Sequence, residues 1–236
     1  MNTWHETFSG AEASTSLAGW WFALVSLPIY QFLFLRWYYR LFIWARFLWH
    51  VSRIDLELIA THPDRSAGLG FLSNVTYAFS PLLFGQSVLL GGAMANRIFY
   101  AGARLPDFKL EIVTLIGLAL VYVLLPLMVF SPQLAQAKRK ARREYGSLAQ
   151  KYVREFDQKW LRGHHPASEK FVGSGDIQSL ADLGNSYQVI TEMRWVPFTT
   201  SMVIHLAVIS LIPLSPLVLT VIPFNELVDR FINMVF

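Results

Sequence analysis

The sequence predicts an all-α, polytopic membrane protein, with four transmembrane helices and cytoplasmic amphipathic helices. Three observations carry that expectation. Of 236 residues, 54% are hydrophobic and only 15% charged, whereas soluble domains carry about 25% charged residues. Four apolar runs occupy residues 17–35, 77–94, 110–130 and 198–222, and a helix of about 20 residues crosses the roughly 30 Å hydrocarbon core. Between the third and fourth runs, apolar residues recur at steps of three and four opposite a charged face, which is the pattern of amphipathic helices.

Residues 1–16 form a polar tail without Lys or Arg. The first run lacks the basic leading region and the small-residue cleavage site of a signal peptide, so it is expected to be a retained helix. Its pattern continues past the apolar core. Over residues 36–54 arginines alternate with Trp37, Tyr38, Tyr39, Trp44 and Trp49, a composition suited to the headgroup layer, where rings sit half wet and Arg snorkels or stacks on them. The chain has no cysteine. Disulfides, thiolate metal sites and cysteine nucleophiles are thereby excluded.

Orientation follows from where the basic residues fall. The first connection holds Arg36, Arg40, Arg46, Arg53 and Arg65, and residues 131–197 hold eleven Lys or Arg, including KRKARR at residues 138–143. The positive-inside rule then places both connections in the cytoplasm and both termini outside. The formal net charge of +4 therefore reflects topology and contact with anionic headgroups, and nucleic acid is not an expected partner.

The second run is the most polar of the four. Gly85, Ser87, Gly91 and Gly92 permit close helix approach, while Gln86 and Asn96 carry amides that lipid does not satisfy. Such a face turns toward protein or water. Gln86, Ser87, Gly91 and Asn96, with His205 of the fourth run, are the candidates to line a pore, and tight packing within one subunit is the competing reading. The third run is interrupted only by Pro126. The fourth carries Pro213, Pro216 and Pro223, so its outer half is expected to be bent or broken.

In residues 131–197, Leu134, Ala137, Ala141, Tyr145, Leu148, Tyr152, Phe156 and Trp160 form one apolar stripe. They predict a helix of about seven turns, within which Gly146 is unfavourable by roughly 1 kcal/mol. After the breaker RGHHPAS, Ile177, Leu180, Ala181, Leu183, Tyr187 and Ile190 predict a second helix, capped by Asp176 or Ser174. Residues 198–236 hold the fourth span and an extracytoplasmic C-terminal segment.

The stretch THPDRSAGLGF, residues 61–71, concentrates His62, Asp64 and Arg65 between two spans. Its HPD tripeptide is shared with the J-domain of chaperone partners, but there it joins two helices of a soluble bundle, which these flanks are not. As a turn, Pro63 disfavours helix before it, Asp64 caps the next element, and Gly68 and Gly70 allow left-handed backbone. As an anion or headgroup site, Arg65 and the backbone donors near Gly68 would hold a phosphate or carboxylate, with Lys138, Arg139 and Arg142 as further candidates. No metal site, cofactor or catalytic residue is expected.

HPDRSAGLGFL, with WARFLWHVSRIDLELIATHPDR before it and IQSLADLGNSYQVITEMRWVPF late in the chain, resembles a group of uncharacterised bacterial inner-membrane proteins. The likeness spans most of the chain and implies four spans in a bacterial inner membrane. It implies no activity. The function expected is an oligomeric channel or pore for ions or small solutes, anionic ones included, with membrane lipids and further copies of the chain as partners. The rivals are a non-transporting scaffold whose cytoplasmic helices dock a protein, and a membrane-embedded lipid or phosphoester enzyme built on His62, Asp64 and Arg65.

Overall fold

A computed structural model describes residues 6–9, 12–164, 166 and 170–220. The chain is helical, and four of its helical runs are long and apolar enough to cross a membrane: Leu17–Val51, Phe71–Ala101, Leu105–Leu161 and Thr200–Thr220. It divides into two compact units, residues 1–47 and 48–236.

The first unit opens with a short antiparallel hairpin, β1 (Glu6–Ser9) and β2 (Glu12–Thr15), with Glu6 opposite Thr15 and Ser9 opposite Glu12. Nothing in the polar tail announces it. Ser16 then caps helix α1 (Leu17–Trp21), its hydroxyl accepting the Gly19 N–H at 3.1 Å. A π-helical turn, Phe22–Ser26, leads into α2 (Leu27–Val51). Pro28 explains the change in winding, because it has no N–H to return to the Leu24 carbonyl. Along α2 the aromatic rings meet at steps of four: Tyr30–Phe34 centroids are 5.8 Å apart and Phe34–Tyr38 centroids 4.5 Å. Arg40 lies over the Trp37 ring at 5.4 Å.

The second unit holds a three-helix membrane core. After α3 (Phe71–Thr76) and a 3-10 turn, α4 (Ser80–Ala101) starts on Pro81 and ends at Gly102, whose φ of +69° is the left-handed stop that glycine supplies. The chain reverses into α5 (Lys109–Leu124), passes through a 3-10 segment at Leu125–Phe130 where Pro126 sits, and continues as α6 (Ser131–Phe156), with Pro132 in its first turn. The third span and α6 are therefore one helical run from Leu105 to Leu161. Helix α7 (Gly175–Glu192) folds back along α6, and α8 (Thr200–Leu211) packs on α4 and α5. The Thr199 hydroxyl caps α8 by accepting the Met202 N–H at 3.2 Å.

Beyond Leu211 the fourth span rewinds as a 3-10 helix, Ile212–Thr220, containing Pro213 and Pro216. The expected disturbance of its outer half takes this form. Pro223 lies outside the described residues. Helices α4 and α8 run parallel: Ser73 meets Pro197 near their starts and Gly91 meets Leu214 near their ends, as two spans leaving the same side must. Leu83, Met94, Val123, Leu127, Met202 and Leu206 are almost completely buried in this bundle. A satellite cluster of Met94, Phe108, Leu214 and Leu217 closes its far end.

The α6–α7 hairpin uses most of the predicted stripe. Leu134 and Ala141 are buried, whereas Leu148 is 52% exposed. Gly146 faces the Tyr187 ring, whose Cε2 would lie 3.6 Å from a β-carbon there. Of the two expected caps of α7, Ser174 holds the position and Asp176 does not. Ser174 does so without a side-chain hydrogen bond, and the Asp176 carboxylate turns to the π-helical turn Asp157–Leu161 that follows α6, accepting from Lys159 Nζ at 2.7 Å and Trp160 Nε1 at 2.9 Å.

Candidate functional site

The HPDR segment is a turn wound around its own carboxylate. Asp64 Oδ1 accepts the backbone N–H groups of Ser66 at 2.8 Å and Gly68 at 3.2 Å, and Oδ2 accepts that of Gly70 at 2.8 Å. Arg65, Ala67 and Gly68 have φ of 55°, 54° and 92°. These left-handed residues curl successive N–H groups inward, which makes an anion-binding concavity. Here the anion is Asp64. Gly70 is required for space, since a β-carbon there would stand 2.9 Å from Asp64 Oδ2.

His62 Nδ1 lies 2.9 Å from Asp64 Oδ1. Protonated, it donates to the carboxylate; neutral, it accepts the Asp64 N–H at 3.3 Å. Burial pushes the Asp64 carboxyl up, but the backbone donors of Ser66, Gly70 and Gly68, with His62, outweigh it and hold the group below its ordinary value.

A late segment of the chain clasps this turn. Arg194 Nη2 donates to the Asp64 carbonyl at 2.8 Å and to Ser66 Oγ at 2.9 Å, while the Arg194 N–H donates to the Arg65 carbonyl at 2.7 Å. Ser66 is fully buried beneath it. Ser73 Oγ donates to the Pro197 carbonyl at 2.8 Å, and Thr76 Oγ1 contacts Met202 Sδ at 3.0 Å. Lys138 of α6 completes the node, donating to the Met193 carbonyl and lying 5.1 Å from the centre of the Trp195 ring. Sequence reasoning passed over Ser66, Glu192 and Arg194. The available signal was a lone arginine in the short MRWVPF link before the fourth span.

The anion candidates are not assembled into one open site. Arg65 pairs with Glu192 at 3.0 Å, Lys138 is buried and engaged, and Arg139 and Arg142 lie exposed on α6. The backbone donors that would have held a foreign anion hold Asp64.

The pore candidates divide between two sides of α4. Ser87 is fully buried and donates to the Leu83 carbonyl at 2.9 Å. Gly91 abuts the fourth span, where a β-carbon would meet Leu214 Cδ2 at 3.2 Å and the Pro213 carbonyl at 3.4 Å. Gln86 accepts the Tyr122 hydroxyl of α5. Asn96 is exposed, as are Gly85 and Gly92, which open onto free space among the described residues. His205 is also exposed, with its ring edge-on to Tyr77 at 4.6 Å.

Among the described residues no three His, Asp or Glu side chains are grouped to hold a metal ion. The chain matches no known protein-family model, and no curated protein or solved structure is similar to it. The fold defines its class: a multi-pass α-helical membrane protein.

Proposed function

We propose that the chain is a subunit of an oligomeric channel or pore in a bacterial inner membrane, with both termini extracytoplasmic and the outward face of α4 turned to its neighbours and the shared axis. One observation carries this reading. Gly85, Gly92 and Asn96 lie together on the exposed side of α4, on an arc of about 40° at 100° per residue. Glycines there allow a second helix to approach closely, and the Asn96 amide gains a partner or water that lipid does not supply. The basic residues of α6 beneath the span favour anions.

The absence of cysteine makes the test clean. Asn96→Cys and Gly92→Cys protein, reconstituted in liposomes, is expected to cross-link between copies, and conductance or anion flux is expected to change on Asn96 substitution. Cross-linking without flux would remove the channel and leave an oligomeric scaffold. Neither cross-linking nor flux would remove both.

A further inference from the structure

Residues 53–61 connect the end of α2 to the HPDR turn and form one wall of a groove of about 670 Å³ whose other wall is α6. The α6 residues lining it, from Gln133 through Ala137 and Ala141 to Tyr145, recur at helical spacing and so share one face. Ala137 and Ala141, in its middle, leave the room that larger side chains would fill.

The opposite wall is irregular in secondary structure. Residues 55–59 belong to no helix or turn, and their side chains alternate: Asp55, Glu57 and Ile59 are exposed, Leu56 and Leu58 half-buried. This is the period of a β-strand. Among the described residues, no backbone N–H or C=O of residues 55–58 bonds to another backbone group. A segment of this period, with its main chain unpaired by other backbone and an open groove beside it, suits the addition of an extended peptide as a paired strand, with alternate side chains received by the groove.

Charge narrows the occupant. Asp55, Glu57 and Glu144 line the groove and take part in no ion pair among the described residues. Of the lining cations Arg53 and Lys140, Arg53 already lies over the Trp49 ring at 4.5 Å. Acids are in the majority, which disfavours an anionic lipid headgroup and favours a basic ligand. The α6 face is about 18 Å long, from twelve steps of 1.5 Å between Gln133 and Tyr145, and matches about five residues of strand.

We infer that this groove receives an extended basic peptide segment of a protein partner, added as a β-strand alongside residues 55–59. The inference does not rest on conduction and stands for a channel or a scaffold alike.

The test uses the full chain in phosphatidylcholine nanodiscs and three fluorescent hexapeptides of alternating lysine and valine. One peptide is unmodified, and two are N-methylated at alternate residues in opposite registers. In an added strand only every second N–H points at its neighbour. Binding is expected to be saturable, weakened about tenfold or more by one methylation register and unchanged by the other. Glu57→Lys, at an exposed position, is expected to weaken the unmodified peptide while leaving the melting temperature in place.

Equal binding of all three peptides would reveal charge attraction alone and overturn the inference, as would no binding of any. Ala137→Cys, at a half-buried lining position, gives a second readout, since the natural chain has no cysteine. Protection from maleimide by the peptide supports the inference. Protection by short-chain phosphatidylglycerol and not by the peptide overturns it in favour of a headgroup site.

Discussion

Arg194 reaches across 130 positions of sequence to donate its guanidinium to the Asp64 carbonyl at 2.8 Å. That bond joins the turn before the second span to the link before the fourth. Both spans therefore leave one anchored point, and their parallel course begins there.

Removing the Arg194 side chain strands the Asp64 carbonyl and Ser66 hydroxyl in a half-buried setting. Arg194→Ala is expected to destabilise the protein by about 1.5–3 kcal/mol, read as a lower melting temperature in detergent. Arg194→Lys is expected to recover little of this, because an ammonium cannot reproduce the planar fork in which Nε donates to Ser66 Oγ at 3.2 Å while Nη2 donates to both oxygens.

Asp64→Ala leaves the inward-facing N–H groups of Ser66, Gly68 and Gly70 without an acceptor, and a loss of about 2–4 kcal/mol is expected. The pH dependence has a definite sign. Because the native carboxyl is held low, its stabilisation is complete above the unfolded value near 3.9 and is lost as pH falls through the native value. Melting curves across that acid range should show a decline that Asp64→Asn abolishes.

Gly91 and its neighbour Gly92 are expected to behave oppositely. Gly91→Leu drives a side chain into Leu214 and the Pro213 carbonyl and should lower single-chain stability by about 1–3 kcal/mol. Gly92→Leu meets free space and should stay within about 0.5 kcal/mol. Steric trapping or thermal melting of the monomeric detergent form measures both.

The far end of the α6–α7 hairpin is tied by Asp176. The Lys159 hydrogen bond, then that of Trp160, lowers its carboxyl below the ordinary value against an opposing effect of burial. The tie is thus intact above the unfolded carboxylate range and released as pH falls through the native value. Hydrogen exchange in the first turn of α7 should accelerate in acid beyond its intrinsic rate, and Asp176→Asn should exchange fast at neutral pH.

The helical spans were legible in the sequence because hydropathy is a local, additive property, and the α6–α7 pair because its stripe repeats at helical spacing. The role of Asp64 was not. It rests on left-handed backbone at Arg65 and Ala67, residues for which no propensity rule predicts that conformation. Composition also counted Gly91 and Gly92 as one small-residue face, although they turn to different neighbours. The Asp176 cap failed for a related reason: Lys159 and Trp160, seventeen and sixteen positions away, compete for the same oxygen.

The uninterrupted helical run from Leu105 to Leu161 has a mechanical consequence. Its portion beyond Phe130 is a lever about 46 Å long at 1.5 Å per residue, so a tilt of about 5° within the bilayer sweeps its tip by about 4 Å. Bilayer thickness and lateral tension set such tilts. Any tilt of this span is magnified at the hairpin tip, with the 3-10 segment around Pro126 at the base of the lever.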